Sequence, residues 1–581
     1  MAGPGWYRRP TVSPDSPHIV KPTGTPLRDL THTRLEDCRV LAEPRNQRDP
    51  MATRLESRMM TVTDLSTMSD ELERAARGWS ERRHLSKSAA NVLRMVDLSA
   101  RYRVLQLGSA YGSAARFLGE ECALVDVLEP TIDRARLVRR RTADLSSVEV
   151  FIGALDALPN ETSYDIVVVL GNTHEIAFGL GADSVDAVAA ASRAVLRPGG
   201  TLMWVAQNRL GVSNLVRWSG DAREDTAGST RAELDAALGR AGFTVQFLSV
   251  FPAVTNARVA MTDWMLDTRD ERTLAWRLPR FPGATMPGSS PEFELWRAVV
   301  REGHGHAFPN AFLALAHRRG AQPAKHLWPA TTKATFIGSE RRADMMAKTV
   351  VRWSGEQLLL ERFRLDGGGQ TVRHGTLRLV LSDSVFVPGT DFAEMAAVAG
   401  PDELAALLRA WSLLVAAAKT ENGRNIDLIP RNLIIGEDNS LSVIDEEFFD
   451  EGYSVQDVLA RGILDVLVAI PPDAVPVAWG SRYEDVARHL GRIVGLEQPN
   501  WLDEAVDREA ALKATIAGLD PGSPDRDDAI AQYQQRFRSL LDTRVGPPTT
   551  APIWRHPMTA VKSYAGRSLR ALRSIGRRAA R

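Results

Sequence analysis

Residues 103–120 read RVLQLGSAYGSAARFLGE. A short apolar run ends at Gly108, Gly112 follows after three residues, and small and bulky apolar positions then alternate at helical spacing. The pattern predicts a buried strand, a glycine turn and a helix. Small residues in such a turn let backbone N–H groups approach a ligand, and the helix N-terminus behind them favours negative charge. Gly108, Ser109 and Gly112 are therefore candidate cofactor-binding residues. A glycine turn alone is shared by several classes of nucleotide-binding protein and by purely structural turns.

The flanking sequence narrows the choice. The next apolar run, ECALVDVLEP (121–130), closes with Glu129. That is about 20 residues beyond the turn, where a strand-end carboxylate can accept ribose hydroxyls. VFIGALDALP (150–159) brings Gly153 and Asp156, SYDIVVVLG (163–171) is a third run, and LRPGGTLMW (196–204) holds a PGG turn before a further strand. SVDAVAAASRAVL (184–196) is helical, and residues 230–252 add one more helix and strand. Strands alternating with helices predict an α/β fold with a parallel sheet covered on both faces.

In order, these segments resemble the class I S-adenosylmethionine (SAM)-dependent methyltransferases. The resemblance spans the glycine turn, Glu129, Gly153–Asp156, Tyr164–Gly171 and Pro198–Gly200. It implies a Rossmann-like sheet, SAM as cofactor, and Gly108, Ser109, Gly112, Glu129, Gly153 and Asp156 as its contacts. The chain departs from the family pattern at three positions. Gln106 stands where an acid is usual before the first glycine, Ala110 replaces the middle glycine, and Ala154 replaces the acid usual after Gly153. Acceptor-side candidates follow the strands. Asn172 and His174 lie in GNTHEIAFG (171–179), with His174 able to take a hydroxyl proton near neutral pH. Asn208 and Arg209 lie in QNRLGVSNL (207–215), Arg209 suiting an anionic acceptor.

A second chemistry-bearing stretch is NIDLIPRNLIIGEDNSLSVIDEEFF (425–449). Phosphoryl transfer needs an acid to orient the hydroxyl and two groups to hold Mg2+ on the phosphates. Asp427, Asn432 five residues on and Asp445 after an apolar strand supply that set. The stretch resembles the catalytic and metal loops of the protein-kinase and aminoglycoside-phosphotransferase superfamily. The resemblance implies ATP and Mg2+, with Asp427 as base and Asn432 and Asp445 as metal ligands. SVFVPGTDFAEM (384–395) is similar to the hinge between the lobes of such folds. Asn425 replaces the usual histidine, and FIGSERR (336–342) is the nearest segment to a phosphate loop. Lys348 and Arg362 are candidate phosphate contacts on predicted strands, and DGGGQTVRHG (366–375) stands where a helix with a partnering glutamate is usual.

With 581 residues and ~100–200 per domain, about three domains are expected, or two with tails. Composition and pattern divide the chain as follows: 1–60 disordered, 61–320 methyltransferase-like, 321–334 a linker, 335–540 an α+β two-lobed kinase-like domain, and 541–581 a basic tail. Residues 66–98 are expected to be helical, with Ser66 and Ser69 as possible caps. Met51 opens an alternative start. The net charge of zero gives no bulk field for nucleic acid, which is not an expected partner. Two cysteines exclude a disulfide framework and point to a reducing cytoplasm. No apolar run reaches the ~18 residues of a membrane span, and no signal peptide is evident. Residues 555–581 hold eight Lys/Arg and no acid, with Val561, Ala565, Leu569, Leu572 and Ile575 at helical spacing. A basic amphipathic helix of this kind suits peripheral contact with an anionic membrane.

The order of the two halves resembles bacterial methyltransferase–kinase fusions of surface-polysaccharide synthesis. It implies a glycan or lipid-linked sugar acceptor, methylated on a hydroxyl or phosphate at the inner membrane face. Two other expectations stand beside it: a non-catalytic scaffold built from both folds, and a phosphotransferase alone.

Overall fold

The glycine-turn segment lies near the middle of the largest sheet. The structure, a computed structural model, describes residues 25–29, 33–35, 37–43, 48–108, 110–161, 163–171, 177, 179–182, 184–217, 228–267, 274–275, 291–321, 323, 326–418 and 423–546. Its strands are β1 (Thr33–Leu35), β2 (Cys38–Val40), β3 (Arg103–Leu107), β4 (Leu124–Glu129), β5 (Val148–Ile152), β6 (Tyr164–Gly171), β7 (Leu196–Gln207), β8 (Phe243–Phe251), β9 (Val259–Thr262), β10 (Ala311–Arg318), β11 (Thr332–Gly338), β12 (Ala347–Ser354) and β13 (Gln357–Arg364). There follow β14 (Thr371–His374), β15 (Leu377–Val380), β16 (Ser384–Val385), β17 (Thr390–Asp391), β18 (Arg424–Asn425), β19 (Leu433–Ile435), β20 (Leu441–Val443) and β21 (Phe448–Asp450).

The large sheet runs β1-β2-β5-β4-β3-β6-β7-β10-β8-β9-β11-β12-β13-β16. From β5 to β7 the pairing is parallel, and β10 is inserted antiparallel between β7 and β8. Successive residues of these strands feed opposite cores, as a period of two requires. Val104, Val125, Val127, Ile166, Val168 and Met203 face one layer, with Ala115, Phe117 and Leu118 of the helix Ser113–Glu121. Leu105, Leu107, Leu128, Val167, Val169 and Trp204 face the other, with Val188 and Leu234 of the helices Val185–Val195 and Arg231–Arg240. The expected parallel α/β sheet is thus present, and it is extended by antiparallel strands at the far edge.

Residues 25–60 differ from the disordered segment expected there. Arg28 Nε donates to Asp126 Oδ1 at 2.7 Å, and Tyr164 donates to the same carboxylate at 2.8 Å. β2 pairs in parallel with β5. Ala52, Leu55 and Met59 on the helix Pro50–Met59 are buried in a separate core with Leu72, Leu85 and Leu137. Apolar spacing of three and four residues within a short, otherwise polar stretch was the overlooked signal. Ser69 caps the helix Asp70–Ala75 through the Leu72 N–H, as expected; Ser66 does not cap a helix.

The two halves share one sheet, because β11 pairs antiparallel with β9. The linker expected at 321–334 is partly buried: Leu327 and Trp328 pack into the first-half core, and Trp328 Nε1 donates to the Thr332 carbonyl at 2.8 Å. Beyond β16 the chain crosses through residues 386–389 to β17, which pairs with β19. The helices Pro401–Ala417, Val455–Ala469, Tyr483–Ile493, Trp501–Ile516 and Pro524–Leu541 then build a second core around Trp411, Ile463 and Tyr483. Among the described residues, no helix is long and apolar enough to cross a membrane. Residues 547–581, and with them the amphipathic tail, lie outside the described residues.

Candidate functional site

The register that pairs Leu107 with Leu128 and Glu129 with Ile152 brings the ends of β3, β4 and β5 to one sheet edge. Gly108, Glu129 and Gly153 therefore lie together, as their places after successive strands predict. Gly108 (φ 71°) and Gly112 (φ 83°) both take left-handed backbone, which suits glycine. A Cβ on Gly112 would meet Arg141 Cδ at 3.3 Å, whereas one on Gly108 would meet open space. Ser109 lies outside the described residues.

Several buried polar groups border this edge. Gln106 is fully buried; its Nε2 donates to the Gly108 carbonyl at 3.1 Å, and its Oε1 has no hydrogen-bond partner. Thr131 Oγ1, just past Glu129, is also buried without a partner. Glu129 itself is 1% exposed. Buried polar atoms are rarely left unpaired in a finished interior. Asp156, on a short turn, is exposed, and Gly153 is covered by Leu41 Cβ, 3.1 Å from where its own Cβ would stand.

Four residues that local sequence did not single out close over the turn. Asp49 caps the helix Pro50–Met59 and accepts from Tyr111 Oη at 3.2 Å and from Arg134 Nε at 2.8 Å. Arg134 also lies over the Tyr111 ring, and His84 packs against the same ring with centroids 4.5 Å apart. Burial, then the charges of Arg83, Arg141 and Arg134, hold the His84 imidazole down at about 3, so it is neutral. Its Nε2 accepts from Arg83 Nε at 2.9 Å, which leaves the proton on Nδ1, a buried donor without a partner. The only local signal for this cap was Asp49-Pro50, an N-cap followed by proline at the first helical position.

The acceptor-side candidates fare differently. Asn172 and His174 lie outside the described residues. Asn208 is fully buried: its Nδ2 donates to the Ala307 and Pro309 carbonyls, and its Oδ1 accepts from the Leu210 N–H. It closes a loop rather than facing a ligand, and its expected substrate role is corrected accordingly. Arg209 pairs with Glu233.

In the second half, Asp427 and Asn432, between β18 and β19, meet Asp445, between β20 and β21. Asn432 Nδ2 donates to the main-chain carbonyls of Asp427 (2.9 Å) and Asp445 (3.2 Å). Asp427 accepts from the Phe448 N–H at 3.0 Å and faces Arg461 at 3.3 Å; burial pushes its carboxyl up, against Arg461. Asp445 faces Arg362 at 3.3 Å, and Glu447 faces Arg341 at 2.5 Å and Arg362 at 3.6 Å. Burial, then Glu447, push the Asp445 carboxyl up to about 7, with Arg362 opposing.

Mg2+ does not fit this arrangement. A hard cation takes oxygen ligands free of other cations, yet Asp445 and Glu447 already carry guanidiniums. No group of three His, Cys, Asp or Glu suited to a metal occurs among the described residues. The expected metal ligands Asn432 and Asp445 are near one another without forming a cation site. Lys348, a candidate phosphate contact, is buried against the first half and donates to the Arg94 carbonyl at 3.2 Å. The segment 366–375 leads into the hairpin β14–β15, which pairs with β21 just after Asp445.

No family model matches the chain, and no curated protein matches it. Among solved structures it is similar to a putative methyltransferase bound to the Trm112 activator from Haloferax volcanii, at 17% identity over 47% of this chain and 100% of that one, TM-score 0.30. It is similar to a putative methyltransferase from Bacillus halodurans, at 16% over 40% and 98%, TM-score 0.26. It is also similar to the [4+2]-cyclase SpnF, at 17% over 46% and 93%, TM-score 0.27.

Proposed function

We propose that the first half binds SAM across the ends of β3, β4 and β5 and transfers its methyl group. The observation that carries this reading is the strand order β5-β4-β3-β6-β7-β10-β8 with β10 reversed. A dinucleotide-binding sheet keeps its six strands parallel in the order 3-2-1-4-5-6; the reversed β10 inserted before the last strand sets this sheet apart from that class and leaves the methyltransferase resemblance of the glycine turn as the reading. Bound SAM supplies an electrophilic methyl on sulfonium. In this reading Glu129 takes the ribose hydroxyls and Gly108 allows close backbone approach. The unpartnered Gln106 Oε1 suits the ammonium and the unpartnered His84 Nδ1–H suits the carboxylate of the methionine end. The neutral amide in place of a carboxylate weakens the ammonium contact without removing it. The Asp49–Tyr111–Arg134 cap helps exclude water from the turn.

For the acceptor, we keep the glycan or lipid-linked sugar class, methylated at the inner membrane face, which rests on the resemblance of the two-part chain. The second half is read as a kinase-like fold that binds rather than transfers phosphate. The hold of Asn432 on the Asp427 carbonyl supports the fold, and the Arg362–Asp445 pair favours binding over chemistry.

Calorimetry of the full chain with SAM tests the leading reading. Binding near micromolar is expected, weakened about ten- to hundredfold in Glu129→Ala, the loss of a charge-assisted hydrogen bond of ~1.5–3 kcal/mol. No binding at millimolar SAM would sink it.

A further inference from the structure

The cluster beneath Asp445 is notable for which charges are already answered. Asp427 faces Arg461, Asp445 faces Arg362, and Glu447 faces both Arg341 and Arg362. A divalent cation entering here would sit beside two guanidiniums and would have to break a buried ion pair. Two donors in the cluster are left without a hydrogen bond. Arg362, whose side chain is 4% exposed, has its Nη1 on the Ser382 carbonyl and Ser384 Oγ and its Nη2 on the Ile444 carbonyl and Asp445; its Nε faces Glu447 Oε1 at 3.6 Å, outside hydrogen-bond distance. Arg341 lies over the Phe448 ring with its Nη2 on Glu447, and its buried Nη1 has no partner. Both guanidiniums are fixed in place. Arg341 comes from the segment nearest in sequence to a phosphate loop, and Arg362 bonds to Ser384 on β16, just before the crossing to β17.

We propose that this cleft binds a phosphate-bearing ligand through Arg341 and Arg362, without a divalent cation. Guanidinium is suited to this role: its planar donors match phosphate oxygens, and its charge does part of what a metal ion does elsewhere. Asp445, with 41% of its side chain exposed, opens the cluster to solvent and is the carboxylate that an incoming phosphate must displace. The carboxylate that a metal-dependent site requires is here a competitor. A nucleoside triphosphate and a simple polyphosphate share the recognised chemistry.

The test is calorimetry of the full chain with ATP and with tripolyphosphate, each in EDTA and in excess Mg2+. Binding in EDTA is expected to be at least as tight as in Mg2+. Arg341→Ala is expected to weaken it roughly tenfold, one charge-assisted contact. Asp445→Asn is expected to tighten it several-fold, since Arg362 loses its anionic partner. Preference for ATP over tripolyphosphate assigns a nucleotide; equal affinity assigns the phosphate chain alone. SAM binding by the same variants reports whether the rest of the chain is intact. Should Arg341→Ala fail to fold, the sign of the Asp445→Asn effect still decides. Binding that appears only with Mg2+ and is lost in Asp445→Asn overturns the proposal, as does no binding of either ligand.

Discussion

At the end of β3 a buried amide oxygen, Gln106 Oε1, has no partner, and the imidazole packed on the glycine turn is uncharged. Around Asp445, by contrast, the half-exposed carboxylate itself and the buried Asp427 and Glu447 each already face a guanidinium. The first region leaves neutral acceptors and donors open and so can take a zwitterionic ligand without first breaking anything. The second is closed by its own ion pairs and admits a ligand only by exchange. The difference teaches that a motif read as a set of residue types does not reveal whether those residues are available. Availability depends on partners from distant parts of the chain.

The largest effect should come from the closed region. Arg461 is 7% exposed and bridges Glu509 at 2.8 Å and Asp427 at 3.3 Å. Arg461→Met strands the buried Asp427 carboxylate and leaves Glu509 with Lys513 at 3.5 Å, and it is expected to lower stability by about 3–5 kcal/mol, read as a fall in denaturation midpoint. A loss under 1 kcal/mol would mean that the cluster is far wetter than its burial implies, and the contrast between the regions would fail.

The open region sharpens the comparison from the other side. Gln106→Glu places a carboxylate where the amide stands. SAM is expected to bind about tenfold tighter, the gain of a neutral contact becoming charge-assisted. The unliganded variant should melt earlier, because an unpaired carboxylate is then fully buried. Calorimetry and thermal melts with and without SAM check both signs. Weaker SAM binding in this variant would place the ammonium elsewhere.

A pH titration separates the regions without mutation. The Asp445 carboxyl is held up near 7 by burial and Glu447, above its unfolded value of about 3.9. Its ionised form is therefore a burden on the folded state, absent below about pH 4 and complete above about pH 7. As pH falls through 7 the carboxyl is neutralised and Arg362 is released. Phosphate-ligand affinity is then expected to rise on acidification, whereas a metal-dependent site would lose affinity. SAM binding should change little over the same range, since His84 titrates only near 3.

Much of the first region was legible. Gly108, Glu129 and Gly153 end successive strands, and a parallel register carries such residues to one edge whatever the rest of the fold does. Reversed β10 was not legible, because an apolar run gives no direction. Residues 25–60 were misread because Arg28 and Asp49 find their partners at Asp126 and Arg134, across 98 and 85 residues. Asn208 shows the opposite failure: its position at the sheet edge suggested a ligand contact, but loop closure takes both ends of its amide. In the second region Asp427, Asn432 and Asp445 were found from spacing. The arginines that answer the two carboxylates come from strand β13 and from the helix Val455–Ala469: Arg362, read from the sequence as a phosphate contact, lies 83 residues from Asp445, and Arg461, which no local pattern marks, lies 34 residues from Asp427.

The smallest expected effect probes the cap that this long-range pairing builds. Asp49 accepts from the Met51 and Ala52 N–H groups and bridges to Tyr111 and Arg134. Asp49→Ala removes a helix cap, ~1 kcal/mol, and one partly exposed pair with Arg134, whose side chain is 41% exposed and so adds little. A midpoint shift near 1 kcal/mol is therefore expected. Because Tyr111 sits in the turn itself, SAM affinity should fall with it by a few-fold. Asp49→Asn, which retains the cap but not the charge, should recover most of the stability. If it recovers the SAM affinity as well, the cap acts by shape. If stability returns and affinity does not, the charge on Asp49 is what holds Arg134 over Tyr111.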